Sequence, residues 1–219
     1  MGGRGASGGG GALGGSSGRN VDMGDALDVW SYRHNPNNQP FVDSINESVR
    51  AIQNDFPDIM NNVYTVNATE FKGADRTQVL GCYSYRNDGY GELHMNKEYT
   101  DVGLMNATYD ASVKSGFHPS RGSKNGTEAV ALHEMGHALN NHLAQKMGAK
   151  SMDDAAKQIV TRAANNIKVK NHTDFAKTIS GYAKESYAEC IAEAVADVYC
   201  NGKNAARASR AIMDVMKSI

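Results

Sequence analysis

Two histidines and a glutamate in the stretch HEMGHALNNH are spaced for metal-dependent hydrolysis. His133 and His137 stand four residues apart, and in a helix this spacing places both imidazoles on one face, where they can bind one metal ion. Glu134 can hold a water molecule that zinc has made acidic, accept its proton and pass that proton to a leaving amine. The motif therefore predicts a zinc-dependent hydrolase of amide bonds, with His133 and His137 as ligands and Glu134 as general base.

A catalytic zinc site also needs a third protein ligand and an open coordination position. His142 is close in sequence, but it lies five residues after His137 and therefore points well round the helix. The metzincin pattern HExxHxxGxxH would need Gly and His where the chain has Asn140 and Leu143. We expect His142 to face solvent and the third ligand to come from another segment.

A later segment, SGYAKESYAECIAEAVADVYCNG, offers carboxylates at helical spacing. Glu185, Glu189, Glu193 and Asp197 recur every four residues and would share one helix face. Like charges at this spacing destabilise a helix by about 0.2–0.5 kcal/mol per pair, and no Lys or Arg lies between them, so a bound cation would relieve the repulsion. One of these carboxylates is expected to complete a site with two histidines and one carboxylate, and the spacing does not say which.

The HExxH motif with this later segment resembles the zinc-protease domain of the anthrax-toxin lethal factor and related gluzincins. Tyr182 is followed seven residues later by Glu189 and four further on by Glu193. The resemblance implies that Tyr182 stabilises the oxyanion, that Glu189 is the third zinc ligand and that Glu193 is a carboxylate beside the ligands. Lys184 and Glu185 depart from the asparagine that such sequences usually have before the ligand-bearing turn, so Glu185 stays open as an alternative ligand.

The chain is also similar to metallopeptidase domains attached to phage minor head proteins and to related toxin-like modules. The similar stretches are GFHPSRGSKNGTEAVALHEMGHAL, ISGYAKESYAECIAEAVADVY and the leader GGRGAS followed by glycines. This resemblance implies a zincin-like domain that acts on a protein or peptide and is attached to, or associated with, a phage head protein.

The helices and strands expected around these residues indicate an α+β fold. A first helix is expected at DSINESVRAIQNDFP, where Ser44 and Glu47 match a capping box. The segments NVYTVNATEF, TQVLGCYSYR and YGELHMN predict a small antiparallel sheet. Further helices are expected at about 127–147, 152–168, 184–199 and 204–217. The apolar residues just before His133 predict that the motif helix is mostly buried. The resemblance implies a zincin-like fold in which the small sheet packs on this helix.

Three smaller features bear on substrate and ligand binding. The segment YGELHMN could be an edge strand along which an extended peptide binds. His94 lies in that strand, and His118 precedes Pro119 in an expected loop. Neither histidine has the spacing of a metal ligand within the motif, so both are expected to have ordinary structural roles.

The composition of the chain limits which binding partners and which cellular compartment are expected. Residues 1–20 are rich in Gly and Ser and predict a flexible arm, followed by one domain over residues 21–219. The 23 basic and 24 acidic residues nearly balance, so bulk charge indicates neither nucleic acid nor a membrane surface. Cys82, Cys190 and Cys200 have no CxxC spacing, which favours a reducing compartment. Without an apolar signal segment, a cytoplasmic or virion-associated protein is expected.

The sequence therefore predicts a zinc endopeptidase with one Zn²⁺ ion, and two alternatives stay open. One is a phage-head or toxin-delivery module whose zinc site is structural or vestigial, which would need a fourth ligand such as His142 or His118. The other is a zinc amidase that acts on cell-wall peptide. The presence of Glu134 favours catalysis, because a structural site has no use for a general base.

Overall fold

The computed structural model describes residues 39–86 and 89–219. The predicted arm at residues 1–20, and the predicted start of the domain at residue 21, lie outside these ranges. Within them, no helix is both long enough and apolar enough to cross a membrane.

The described residues form an α+β structure of eight helices and one three-stranded sheet, which confirms the predicted class. The helices are α1 (Gln39–Asp55), α2 (Asp75–Gln78), α3 (Val102–Lys114), α4 (Gly126–Lys146), α5 (Met152–Asn166), α6 (His172–Ala176), α7 (Tyr187–Asn201) and α8 (Arg207–Lys217). The strands are β1 (Val63–Thr69), β2 (Gly81–Tyr85) and β3 (Gly91–Asn96).

The sheet differs from the prediction in two ways. Its order is β1-β3-β2, with β3 antiparallel to β2 but parallel to β1, so the sheet is mixed rather than antiparallel. The segment YGELHMN forms β3 and is the central strand, so the prediction that it is an edge strand is wrong. The connection from β1 to β3 passes through α2 and β2, which is long enough to return the chain in the parallel direction.

Helix α4 is the central element, and 18 of its 21 residues are buried. It packs against the sheet and against α1, α3, α5 and α7, which confirms the prediction of a mostly buried motif helix. Its start is fixed by a capping box: the Asn125 side chain accepts from the backbone N–H of Glu128, and the Glu128 carboxylate accepts from that of Asn125.

Helix α1 begins earlier than the predicted capping box of Ser44 and Glu47. Ser44 and Glu47 lie inside the helix, which already includes Gln39, so the prediction that they cap its start is wrong. The Ser44 hydroxyl instead donates to the Pro40 carbonyl one turn earlier, at 2.6 Å. It also accepts from the Asn125 side chain, at 2.8 Å, and so ties α1 to the start of α4.

Helices α4 and α7 approach each other closely at Gly136. A Cβ atom at this position would lie 2.7 Å from the Ala192 Cα atom, closer than van der Waals contact permits. Residue 136, just before His137, therefore has to be glycine for the helices to meet at this distance. The close contact brings the acidic face of α7 to the histidine face of α4.

Helix α3 was not predicted, because only Met105, Tyr109 and Ser112 of its 13 residues are buried and its apolar face is therefore short. The loop that follows it is held against α7. The Asn201 side chain donates to the Ser120 carbonyl at 2.6 Å, and the backbone N–H of Tyr182 donates to the Phe117 carbonyl at 2.9 Å. These bonds fix residues 117–120 beside the motif helix.

Candidate metal centre

His133, His137 and Glu189 form a buried group that can hold a metal ion. The two histidines project from the middle of α4, and Glu189 projects from the first turn of α7, where Ser186 caps the helix by accepting from the Glu189 backbone N–H at 3.0 Å. The Glu189 Oε2 atom lies 3.3 Å from the Nε2 atom of His133 and 3.3 Å from that of His137. Three potential ligand atoms from two helices thus converge on one point.

These separations suit a tetrahedral ion. Ligand atoms at about 2.0–2.1 Å from a tetrahedral metal lie about 3.3 Å from one another. The Glu189 Oε2 atom is also fully buried without a hydrogen-bond partner among the described residues, which is costly unless something satisfies it. A divalent cation bound by the three side chains would supply that partner and would leave a fourth position open.

Glu193 contacts the Nδ1 side of His133, while the Nε2 atom of the same ring faces Glu189. The Glu193 Oε1 atom lies 2.8 Å from the His133 Nδ1 atom and 2.9 Å from the His118 Nδ1 atom, and its Oε2 atom accepts from the Ser180 hydroxyl at 2.6 Å. A ligand histidine usually directs its second ring nitrogen at a carboxylate in this way, which orients the ring and makes the first nitrogen a better ligand. Glu193 is fully buried and is not part of the ligand group.

The carboxylates of the site stay ionised despite burial. Burial alone would raise the pKa of Glu193, but the neighbouring His118 and His133 outweigh it and lower the pKa to about 2. Burial likewise acts to raise the pKa of Glu189, and His137 and His133 hold it well below its ordinary value. Burial acts to lower the pKa of His133, but Glu189 and Glu193 raise it well above the ordinary value. The two ionised carboxylates, Glu189 and Glu193, therefore favour positive charge in the site.

Glu134 lies beside the ligands at the wall of a cleft. Its Oε2 atom is buried and has no hydrogen-bond partner among the described residues, and burial raises its pKa above the ordinary value. The cleft is lined by His133, Glu134, Tyr182, His118, Tyr109, Val130, Leu80 and Gly81. A raised pKa suits a carboxylate that takes up a proton and releases it again within one reaction.

Tyr182 lies in the same cleft, in a short 3₁₀ turn at Tyr182–Lys184. Its ring stacks on that of His133, with 5.8 Å between ring centres, and on that of Phe117, with 4.7 Å. The pairing of its backbone N–H with the Phe117 carbonyl fixes the turn. The structure thus brings together all five residues proposed from the sequence, His133, Glu134, His137, Tyr182 and Glu189.

The two remaining carboxylates of the predicted acidic face, Glu185 and Asp197, lie outside the ligand group. Glu185 is exposed. Asp197 accepts from the Ser209 hydroxyl at 2.6 Å and from the Ala206 backbone N–H at 2.8 Å, and so holds the start of α8. Most of the predicted acidic face is buried, and its three buried carboxylates, Glu189, Glu193 and Asp197, each have different partners.

The other histidines of the motif region are not in the ligand group. His142 is half-buried, and its Nδ1 atom lies 2.7 Å from the Asn62 side-chain oxygen, so it faces solvent only in part. His94 lies in β3, where Thr69 and Ser84 contact its two ring nitrogens at 2.9 and 3.2 Å.

Sequence reasoning missed the contacts that loop residues make with Glu193. His118 and Ser180, which make these contacts, lie 75 and 13 residues from Glu193 in the chain. Helix periodicity does not extend into loops, so only the folded loop positions reveal these contacts.

Comparison with known proteins gives no relative. No family model, no curated protein and no solved structure matches the chain. Function must therefore be argued from the site itself.

Proposed function

We propose that this protein is a zinc-dependent endopeptidase of gluzincin type, with His133, His137 and Glu189 as ligands. The observation that carries the proposal is the placement of the Glu189 Oε2 atom at 3.3 Å from both motif histidines, next to the buried carboxylate of Glu134. Two imidazoles and one carboxylate with an open position form a donor set that suits catalytic zinc. Bound zinc would polarise the attacked carbonyl and make the attacking water more acidic.

The side chains divide the work of amide hydrolysis. Glu134 accepts the proton of the attacking water and passes it to the nitrogen of the leaving amine, whose bond to carbon then breaks. Tyr182 donates its phenol hydrogen to the oxyanion that forms on the carbonyl carbon. Glu193 keeps the ring of His133 in the orientation that metal binding needs.

Strand β2 offers a place for the substrate backbone. Among the described strands it pairs only with β3, so its other edge is unpaired in the sheet. Its first residue, Gly81, lies directly on α4, and a Cβ atom there would be 3.1 Å from the Glu134 Cγ atom. An extended peptide that adds to this edge would run past Glu134, which supports a protein or peptide substrate. β2 thus replaces YGELHMN in the substrate-binding hypothesis.

One observation favours catalysis over a structural metal site. A closed structural site needs four protein ligands. The ligand group of the described residues has three members, and neither His118 nor His142 is among them. A zincin-like domain associated with a phage head protein remains part of the proposal, on the resemblance of the sequence alone.

The test combines metal content with peptidase activity. The purified chain is expected to bind one zinc ion and to cleave a mixture of denatured proteins, with loss of activity in a chelator. Glu134→Gln should keep the zinc and lose activity by about 10²–10⁴-fold. Protein that binds no stoichiometric zinc, or a Glu134→Gln variant with full activity, would contradict the proposal. A parallel assay on cell-wall peptide separates a peptidase from an amidase.

A further inference from the structure

His118 occupies the cleft without a role in the hydrolysis described above. It lies in the loop between α3 and α4 and lines the cleft together with Glu134, His133 and Tyr182. Its ring stacks on that of Tyr109, with 5.3 Å between centres and 7° between planes, and meets the Tyr182 ring edge-on at 5.5 Å. The side chain is therefore held firmly beside the residues of the proposed reaction.

Glu193 decides which nitrogen of His118 faces the cleft. The His118 Nδ1 atom lies 2.9 Å from the Glu193 Oε1 atom, and an ionised carboxylate can only accept hydrogen bonds. The Nδ1 atom of the neutral ring therefore carries the hydrogen, and the Nε2 atom carries the lone pair. The Nε2 atom has no hydrogen-bond partner among the described residues.

The Glu193 carboxylate lies against the same side of two imidazoles. Its Oε1 atom is 2.8 Å from the Nδ1 atom of His133 and 2.9 Å from that of His118, so the Nε2 atom of each ring points away from Glu193. The His133 Nε2 atom faces Glu189 and the candidate metal position. The His118 Nε2 atom is available to the cleft.

We propose that His118 is a further substrate-contacting residue, whose Nε2 atom accepts a hydrogen bond from the N–H of the amide that is cleaved. This inference rests on the proposed function. When Glu134 delivers its proton, the amide nitrogen becomes positively charged and its N–H a stronger donor, so the contact stabilises the transition state more than the bound substrate. The carbon–nitrogen bond breaks with its electron pair on nitrogen, and His118 is not itself protonated.

The proposal implies a class of substrate. Ordinary peptide bonds carry the N–H that His118 would bind, whereas the bond before a proline has none. Amides with an N–H are therefore the expected substrates, and bonds to proline nitrogen the poor ones.

Two variants of His118 distinguish its proposed contact with substrate from its hydrogen bond to Glu193. The amide nitrogen of His118→Asn stands near the Nδ1 position and can still donate to Glu193, but nothing replaces Nε2. The longer amide of His118→Gln reaches the Nε2 position, where its oxygen can accept, but it leaves Glu193 without that donor. His142→Asn is the matched control, because it removes an imidazole of α4 that contacts Asn62 outside the cleft.

The experiment measures binding and needs no turnover. Full-length protein loaded with Co²⁺ is titrated with acetohydroxamic acid and with its N-methyl derivative, which lacks the N–H, and the visible Co²⁺ spectrum reports binding. Wild type and His142→Asn should bind the N–H compound about three- to tenfold more tightly, the worth of one hydrogen bond. His118→Asn should keep Co²⁺ affinity but lose this preference, and His118→Gln should keep the preference with weaker Co²⁺ binding.

The outcomes distinguish this inference from the proposed function. Wild type with no preference between the two compounds, or His118→Asn with the wild-type preference, overturns the role of His118 and leaves the metallopeptidase proposal intact. Wild type that binds no stoichiometric Co²⁺ overturns the proposed function, and the role of His118 with it.

Discussion

At the scale of single residues, the site depends on how buried charges are paired. Glu189 and Glu193 are one turn apart on α7 and would repel each other, yet both are buried and ionised. The imidazoles on α4 and in the loop after α3 contact these carboxylates, and the candidate metal position lies between two of those imidazoles and Glu189. The repulsion noted in the sequence is therefore offset within the fold, and a cation adds to that compensation.

The first expectation concerns the release of protons when zinc binds. In the metal-free protein the pKa of His133 is raised well above its ordinary value, against the effect of burial, by Glu189 and Glu193. Near neutral pH the ring is then protonated, and a metal must displace the proton from Nε2. We expect zinc binding to release protons and to tighten as pH rises, until the pH passes the raised pKa. Calorimetry in buffers of different ionisation enthalpy measures this, and identical heats in all buffers would contradict it.

The second expectation separates two carboxylates on one helix. Glu193→Gln should weaken zinc binding by about 10–100-fold, because His133 loses the carboxylate that orients it. Asp197→Asn, one turn further on, is the control. It should lower the stability of the junction with α8, where Ser209 and Ala206 donate to it, with little change in zinc affinity. Competition with a chromophoric chelator gives both affinities, and equal losses in the two variants would count against the role of Glu193.

At the scale of elements, the distance between α4 and α7 determines whether three ligands can meet. Glycine at 136 permits that distance, the Asn125–Glu128 capping box fixes the start of α4, and Ser186 fixes the start of α7. The two cap bonds define where along each helix the ligands fall. The loop bonds to Asn201 and Tyr182 place the cleft wall against the same pair of helices.

The third expectation tests this helix contact. Gly136→Ala would place a Cβ atom 2.7 Å from the Ala192 Cα atom, and such overpacking costs about 1–3 kcal/mol. Alanine recovers up to about 1 kcal/mol in helix propensity, so the net result should be destabilisation together with weaker zinc binding. The control is Gly103→Ala in α3, where the added methyl would meet only the Asp101 side chain, at 3.0 Å, and should leave zinc affinity unchanged. Urea unfolding and zinc titration report the two effects, and unchanged zinc affinity in Gly136→Ala would refute the argument.

At the scale of the whole molecule, the metal position joins the two halves of the described chain. Helix α4 contacts the sheet and α1 on the N-terminal side, whereas α7 contacts α5 and α8 on the C-terminal side. Ligands from both helices therefore make a bound ion a crosslink across the core. Metal binding should accordingly stabilise the fold as a unit.

The fourth expectation is a thermal shift on metal removal. A ligand present at about 1,000 times its Kd stabilises the native state by about 4 kcal/mol, so the chelated protein should unfold at a clearly lower temperature. His137→Ala removes one ligand and should abolish the difference between zinc-loaded and chelated samples. Differential scanning calorimetry measures both, and a shift of equal size in His137→Ala would show that zinc acts elsewhere.

Much of the fold and of the candidate site could be predicted from local sequence. The HExxH spacing and the apolar residues before it predict α4 closely, because helix periodicity is a local property. The β-rich segments identify all three strands within a few residues. The four-residue spacing of the carboxylates narrows the third ligand to one helix face.

Only the tertiary structure decided the rest, because those features depend on contacts between distant segments. Strand order and direction placed YGELHMN at the centre of the sheet and β2 at its edge. The close approach at Gly136 brought Glu189, rather than Glu185, to the two histidines. The loop after α3 brought His118 to Glu193, a residue 75 positions away. The sequence by itself determined which side chains could do the chemistry, and packing determined which of them meet.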